Sequence, residues 1–428
     1  GLERCVMEKR RVSAAKVGRA VGDVTRQAIQ AGGRRVDDWV SVYGPAFRRL
    51  AFTQAAAYAG DILVAVGLAG TIFFDVPSAE ARGKVTLYLL LTLAPFVLLS
   101  PFLPRIFAHL PRPYRVGLVG SGLLRAVVAV VLVIVGLNSL WLFPLAFVLL
   151  VLSRLHGIAR SSLLPITVSD PSVLVAANSR LAQVGLAAAA VAAPVGAGVM
   201  QLWAPEVSLA LAAAAFFGAA LFAGRIEAPA TAREAAYQRG QRWAPPRMVR
   251  LSMTATAVVR LLHGFLILLL AFAFKDVDAG LLDFGALLAA AGAGYGLASL
   301  LAPWLERRLR EEPTVVSALA VEAAAAFIAA QVFGLAAGAA VAAAAGLAWG
   351  TAKFAFDGML QHQTSVSGRG LAFTRSETLF QIAWVLGAVV PVAIPISVKV
   401  GLALAGTSAL AAQAIIVSGL LVSIREAD

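Results

Sequence analysis

The feature that most constrains this chain is repeated along it. Runs of about 20 apolar residues recur, separated by short charged or proline-bearing joints. Inside lipid every backbone N–H and C=O must find a partner within its own segment, so such runs are expected to be helices. Twelve are read from the sequence: 50–74, 85–107, 116–137, 140–161, 174–201, 205–224, 249–274, 281–304, 314–333, 336–361, 371–396 and 399–424. Some joints are sharp: Asp75–Lys84, Pro111–Arg115, Lys275–Gly280 and Glu306–Pro313. At Asn138–Leu140 and Gly334–Ala337 only the length of the apolar sequence forces a break. Composition agrees. The chain is 60% apolar and 14% charged, against about 45–50% and about 25% in soluble domains. A soluble core has no place for that excess.

The charges define the plan. Residues 225–248 form a basic linker with three prolines between two apolar stretches of similar length. The expected organisation is a basic tail over 1–48, a six-helix bundle over 49–224, the linker, and a second bundle over 249–428. The fold class is an all-α polytopic membrane protein, with twelve transmembrane helices in two pseudo-symmetric bundles. With twelve spans, 30 of the 36 Lys and Arg fall on the side of both termini and the linker, and four (Arg82, Lys84, Lys275, Lys399) on the other. Arg125 and Arg260 lie mid-span. The excess of positive charge predicts that the termini are cytoplasmic. The net charge of +13 is read as topology and contact with anionic headgroups rather than nucleic-acid binding. Arginine far exceeds lysine beside abundant Ala, Gly and Val, which suggests a GC-rich bacterial genome, and the expected location is the bacterial inner membrane. No apolar core of a cleavable signal peptide stands in the first 48 residues. That tail is read either as a surface-lying amphipathic helix or as a disordered segment.

The halves echo one another. Pro101-Phe-Leu-Pro-Arg105 leads to a basic turn between spans two and three, and Pro303-Trp-Leu-Glu-Arg307 leads to one between spans eight and nine. Arg125 in span three sits roughly where Glu322 sits in span nine. Such internal repetition is expected of secondary transporters. Three stretches carry a resemblance: the basic turn from Pro101 to Arg115, which lacks the usual Gly and Asp; Ala159-Arg160-Ser-Ser-Leu-Leu-Pro165 with Asp170 to Asn178; and Pro194-Val-Gly196-Ala-Gly198. With them, residues 50–425 resemble the major facilitator superfamily, in particular its drug-exporter-like branch, which includes enterobactin and lysophospholipid transporters. The resemblance implies the major facilitator fold and alternating access about a mid-membrane site.

Ionisable residues in mid-membrane are rare and face a partner or a water-filled cavity. Asp61, beside Tyr58 and Gly60 in span one, has two readings: a proton-coupling or cation-binding group, or an ion pair with Arg125. Arg260 and His263 in span seven share a face by i,i+3 spacing. They are read as contacts for an anionic or polar substrate, as a proton relay, or as a packed pair. Glu322 is expected to be structural, on a lipid-facing scaffold helix. Lys353 and Asp357 are an i,i+4 pair of opposite charge. Glu377 and Gln381 share a face of span eleven. Arg105, Arg125, Arg154, Arg160, Arg180, Lys353, Asp357 and Glu377 are candidates for structural or gating ion pairs. Tyr58, Asp61, Arg260, His263, Gln381 and Trp384 are candidates for a substrate cavity. Trp141, Trp203, Trp304, Trp349 and Trp384 are read mostly as interface anchors, with Tyr58 and Trp384 also open to a pocket role.

Motifs for ATP hydrolysis, HExxH metalloproteases and GxSxG hydrolases are absent, and the single Cys5 allows no disulfide or cysteine cluster. No enzyme, metal or cofactor is expected. The reading is a monomeric transporter, an antiporter that exports a small amphipathic or hydrophobic compound in exchange for protons. The partners expected are that substrate, protons and membrane lipids, and no nucleic acid. Two rivals stand: a lipid or lysophospholipid flippase on the same fold, and a non-transporting scaffold or sensor that recruits a partner through its tail.

Overall fold

The computed structural model describes residues 37–72, 113–227 (apart from 138, 140, 169, 171 and 172), 245–275, 281–308, 311–364 and 366–425. Eleven long helices lie within them. The first bundle has α1 (Pro45–Ile72), α2 (Pro113–Val135), α3 (Leu142–Thr167), α4 (Leu174–Leu202) and α5 (Pro205–Gly224). The second has α6 (Arg247–Lys275), α7 (Leu281–Arg308), α8 (Glu311–Gln331), α9 (Leu335–Gln363), α10 (Val366–Ala393) and α11 (Val398–Arg425). All eleven are long and apolar enough to cross a membrane. They correspond to predicted spans one and three to twelve. Span two, with Arg105 and the basic turn up to Arg112, lies outside the described residues, as do the tail up to residue 36 and the linker core at 228–244.

Helix ends follow local chemistry. Pro113 and Pro205 open α2 and α5, where the missing N–H of proline is no loss. The break after α2 comes earlier than the soft joint at Asn138–Leu140 suggested. Gly136 takes a φ of +80° and its N–H reaches back to Leu132 O, an ending that glycine adopts without strain. The apolar residues that point away from neighbouring helices, such as Val127, Ile134, Leu300, Ile328 and Ile415, are among the most exposed of the chain. In a bilayer that exposure meets lipid rather than water.

The two bundles share one packing scheme. In the first, α1 packs on α4 and α5, and α2 packs on α3 and α5. In the second, α6 packs on α10 and α11, and α8 packs on α9 and α11. In span numbers every one of these pairs maps onto its counterpart by adding six, which is the pseudo-symmetry expected from the sequence. The second bundle also docks α7 on α9. Gly294 sits on the Ala343 carbonyl and Gly346 on the Ala291 carbonyl there, so a Cβ at either would collide with backbone. Gly264 and Gly387 join α6 to α10 in the same way, on Trp384 O and Leu261 O. Small residues let membrane helices approach this closely.

The first residues of α1 and α2 and the last of α5 lie on one side. Arg49 donates to Arg225 O at 2.6 Å and to Glu227 at 2.7 Å, and Arg115 donates to Gly224 O. In the second bundle Leu251, near the start of α6, lies beside Gly419, near the end of α11. This is called the terminal side below.

Candidate functional site

The bundles meet along α4 against α7 and α9, and along α3 against α10. The contacts gather in the terminal-side half. Val175 and Ala182 of α4 form an apolar cluster with Ala298, Ala302 and Phe354 of α7 and α9. Gln183 Nε2 donates to Ser299 O at 2.9 Å. Asn178 Nδ2 donates to Asp357 Oδ2 at 3.3 Å. Asp357 also accepts from Lys353, one helical turn away, and Lys353 donates to Glu377 of α10 at 2.8 Å. A single buried lysine therefore ties two carboxylates on two helices, and an uncharged asparagine extends the knot to the other bundle. Arg160 acts electrostatically on Asp357, and Arg154 on Glu377, from the facing helix α3.

Of the expected gating residues, Lys353, Asp357, Glu377, Arg154 and Arg160 thus gather in one zone. Arg180 does not join them. Its Nη1 donates to Trp39 O at 3.0 Å, and its guanidinium stacks over Trp39 at 5.0 Å and Tyr43 at 5.3 Å. It clasps the segment before α1 instead of a carboxylate. The inter-bundle hydrogen bonds come from Asn178 and Gln183. Neither was singled out from the sequence, because neither carries a charge.

Deeper in the second bundle, Arg260 of α6 lies between two indoles. Its guanidinium carbon is 4.2 Å from the ring centre of Trp349 on α9 and 5.6 Å from that of Trp384 on α10. No carboxylate lies within ion-pair distance of it among the described residues. Predicted span two, residues 85–107, contains no Asp or Glu. Arg154 of the opposite bundle and Glu377 both act on Arg260 electrostatically, which places it at the bundle interface. His263, one turn on, donates through Nδ1 to Ala345 O at 3.2 Å. The assignment of Trp349 as a span-end anchor is corrected: it is mid-helix, stacked on Arg260 and set edge-on to Phe380 at 6.0 Å. Trp141, Trp203 and Trp304 are the exposed ones. Glu377, Gln381 and Trp384 follow one face of α10 by their spacing, and Gln381 is buried.

In the first bundle Asp61 is paired. Arg125 Nη1 donates to its Oδ1 at 3.0 Å and Ser153 Oγ to its Oδ2 at 3.2 Å. The Arg125 side chain is fully buried, whereas Asp61 keeps 38% exposure. Phe216 lies 4.4 Å from the guanidinium. It reaches that place because residue 60 is glycine, where a Cβ would stand 2.5 Å from the ring. Tyr58 packs against Gly185 of α4, and Tyr295 of α7 has its ring 5.4 Å from that of Phe354. Tyr295 was not picked out from the sequence, since a tyrosine in an apolar run gives no signal of its own.

Glu322 departs from expectation. It is 2% exposed, inside the second bundle rather than facing lipid, and neither of its oxygens has a hydrogen-bond partner. Among the described residues no cluster of His, Cys, Asp and Glu could hold a metal.

No family model matches the sequence. The chain is 30% identical over 387 residues to an uncharacterised protein of Mycobacterium leprae, covering 80% of this chain and 66% of that protein. It is 36% identical over 143 residues to an uncharacterised protein of Mycobacterium tuberculosis, covering 26% of it. The chain therefore spans from a quarter to just under two thirds of these relatives' lengths. Among solved structures it is similar to a bacterial homologue of the iron transporter ferroportin in an outward-facing state, at TM-score 0.66 and 16% identity, covering 88% of this chain and 99% of that one. It is also similar to the human organic anion transporter MFSD10, at TM-score 0.66 and 15% identity, covering 87% and 99%. The fold is that of the major facilitator transporters.

Proposed function

We propose that this chain is a secondary active transporter that works by alternating access, exchanging protons for a small amphipathic compound moved outward. It acts as a monomer in a bacterial inner membrane, with both termini in the cytoplasm, where the 30-to-4 bias of basic residues directs them. The observation that carries this reading is the Asp61–Arg125 pair. Asp61 is the one carboxylate inside the described helices of the first bundle apart from Glu206 at an end of α5. One flank of it stays accessible while its partner is sealed. A proton arriving on Asp61 removes the counter-charge of a fully buried guanidinium. An uncompensated buried charge is strongly unfavourable, so protonation favours a rearrangement of α1 against α2 and α3. The fold supports the rest, since the bundles are in contact through their terminal-side halves, the arrangement in which a central site opens to the opposite side.

The test uses purified protein in liposomes with a pH-sensitive dye inside and an imposed proton gradient. A panel of amphipathic cations and anions, siderophore-like compounds and lysolipids is screened. Substrate-dependent proton flux is expected, and Asp61→Asn should abolish it while eluting as a folded, monodisperse protein. Flux that survives in Asp61→Asn would remove Asp61 from the mechanism. Lipid scrambling without proton flux would replace export by a flippase.

A further inference from the structure

We infer that the substrate is an organic anion with an aromatic or flat apolar body, and that Arg260, Trp349 and Trp384 are the residues that recognise it. The inference rests on the transporter reading and narrows its substrate class. Three observations carry it. Arg260 is held by aromatic faces alone, with no carboxylate within ion-pair distance among the described residues and none in the sequence of predicted span two. A guanidinium in a membrane core is otherwise found with a counter-charge. In this same protein Arg125, the other mid-span arginine, has one.

The charge of the surrounding zone points the same way. Among the described residues Arg154, Arg160, Arg260 and Lys353 stand against Asp357 and Glu377, an excess of two positive charges. Lys353 pairs with both carboxylates, and neither of them lies within ion-pair distance of Arg260 among the described residues. An anion entering between the bundles meets this excess, whereas a cation is repelled by it. The third observation is shape. Two indoles on different helices flank the guanidinium, leaving its N–H fork to bind a carboxylate or sulfonate and the ring faces to cover an apolar body. His263, on the same face of α6, spends Nδ1–H on Ala345 O and keeps Nε2 for a polar substituent.

The test measures binding without turnover. The full chain in lipid nanodiscs is titrated calorimetrically with naphthalene-2-sulfonate and, separately, with the cationic isostere 2-naphthyltrimethylammonium. The sulfonate is expected to bind at least tenfold more tightly than the ammonium. Arg260→Gln should weaken the sulfonate about ten- to a hundredfold, the range for losing a charge-assisted hydrogen bond. Arg260→Lys should restore part of the loss, and Trp349→Leu should cost less than Arg260→Gln. Equal binding of the two probes, binding of neither, or an unchanged sulfonate affinity in a monodisperse Arg260→Gln would each overturn the inference. The two proposals fail separately. Sulfonate that binds but is not moved in the liposome assay would sink transport and leave the anion site standing. Proton-coupled movement of cations would do the reverse.

Discussion

In the first bundle the carboxylate stands on span one and the guanidinium on span three, and Asp61 and Arg125 meet at 3.0 Å. In the second bundle the order is inverted: Arg260 stands on span seven and Glu322 on span nine, and they do not meet. The helices correspond, and Arg260 stands about one turn short of the depth of Asp61, which His263 matches. Asp61 is sixteen residues beyond Pro45 at the start of α1, and His263 is sixteen beyond Arg247 at the start of α6. What differs is the neighbours. In α1 a glycine before the acid admits Phe216, whose ring lies over the Arg125 guanidinium. In α6 the arginine meets indoles from α9 and α10. Glu322 is left among the small residues of the core. One scaffold thus holds a paired acid and guanidinium on spans one and three and, on the corresponding spans seven and nine, a guanidinium and a carboxyl that do not pair. That contrast is why we propose the switch in the first bundle and the binding site in the second.

Deleting each member of the satisfied pair should give unequal costs, and this is the largest effect expected. Asp61→Leu leaves a fully buried guanidinium with only the Ser121 carbonyl at 3.2 Å and the Phe216 ring. That should cost about 3–5 kcal/mol of unfolding free energy. Arg125→Leu leaves a carboxylate that is 38% exposed and still bonded to Ser153, so the cost should be nearer about 1–3 kcal/mol. The double variant should recover much of the Asp61→Leu loss. Equilibrium unfolding in mixed micelles reads all three. Equal and additive losses would mean that the pair is no more coupled than two independent groups.

The two groups that do not pair should respond less. Arg260→Gln removes two cation–π contacts, worth about 0.5–2 kcal/mol each in this setting. It also relieves repulsion from Arg154, so the net change in the same unfolding assay should be small. Glu322→Gln removes no hydrogen bond, because neither carboxylate oxygen makes one. Its midpoint should be unchanged or slightly raised. A loss of more than about 2 kcal/mol in Glu322→Gln, the scale of a broken buried charged hydrogen bond, would reveal a partner for that carboxylate and erase the contrast between the bundles.

Much of this was legible in the residues, and what was not has one cause. Hydropathy and punctuation located the eleven described helices to within about five residues at each end, apart from the terminal-side end of α3, which runs on to Thr167, six residues past the expected end. The Lys353–Asp357 pair followed from i,i+4 spacing, and the charge inversion between Arg125 and Glu322 was visible as an echo. Rotation about the helix axis was not. A helix that is apolar all round gives no stripe to say which face turns inward. Glu322 was therefore assigned to lipid when it is buried, and Trp349 to the interface when it is stacked on Arg260. Arg180 was assigned to the gate when it clasps Trp39. Asn178 and Gln183 join the bundles without charge, so a search for ion pairs passes over them.

The smallest effect belongs to the exposed guanidinium–carboxylate contact on the terminal side, which sharpens the comparison by changing only the surroundings. Arg49 and Glu227 lie 2.7 Å apart, closer than Arg125 and Asp61, with the Glu227 side chain 85% exposed. The hydrogen bond from Arg49, then its charge, hold the Glu227 carboxyl below its ordinary value of 4.5, and Arg115 adds to this against a small opposing effect of desolvation. A carboxyl whose folded pKa is depressed stabilises the fold above its unfolded value and loses that contribution as the pH falls through the folded one. Glu227→Gln should therefore lower the thermal midpoint barely detectably at pH 7, and the difference from the unsubstituted chain should fade as the pH drops below 4.5 and vanish once it has passed the depressed folded value. Water and salt already satisfy both groups on that surface. A drop at pH 7 as large as that of Arg125→Leu would show that the contact where α1 meets α5 matters as much as the sealed one, and that burial is not what distinguishes the Asp61 pair.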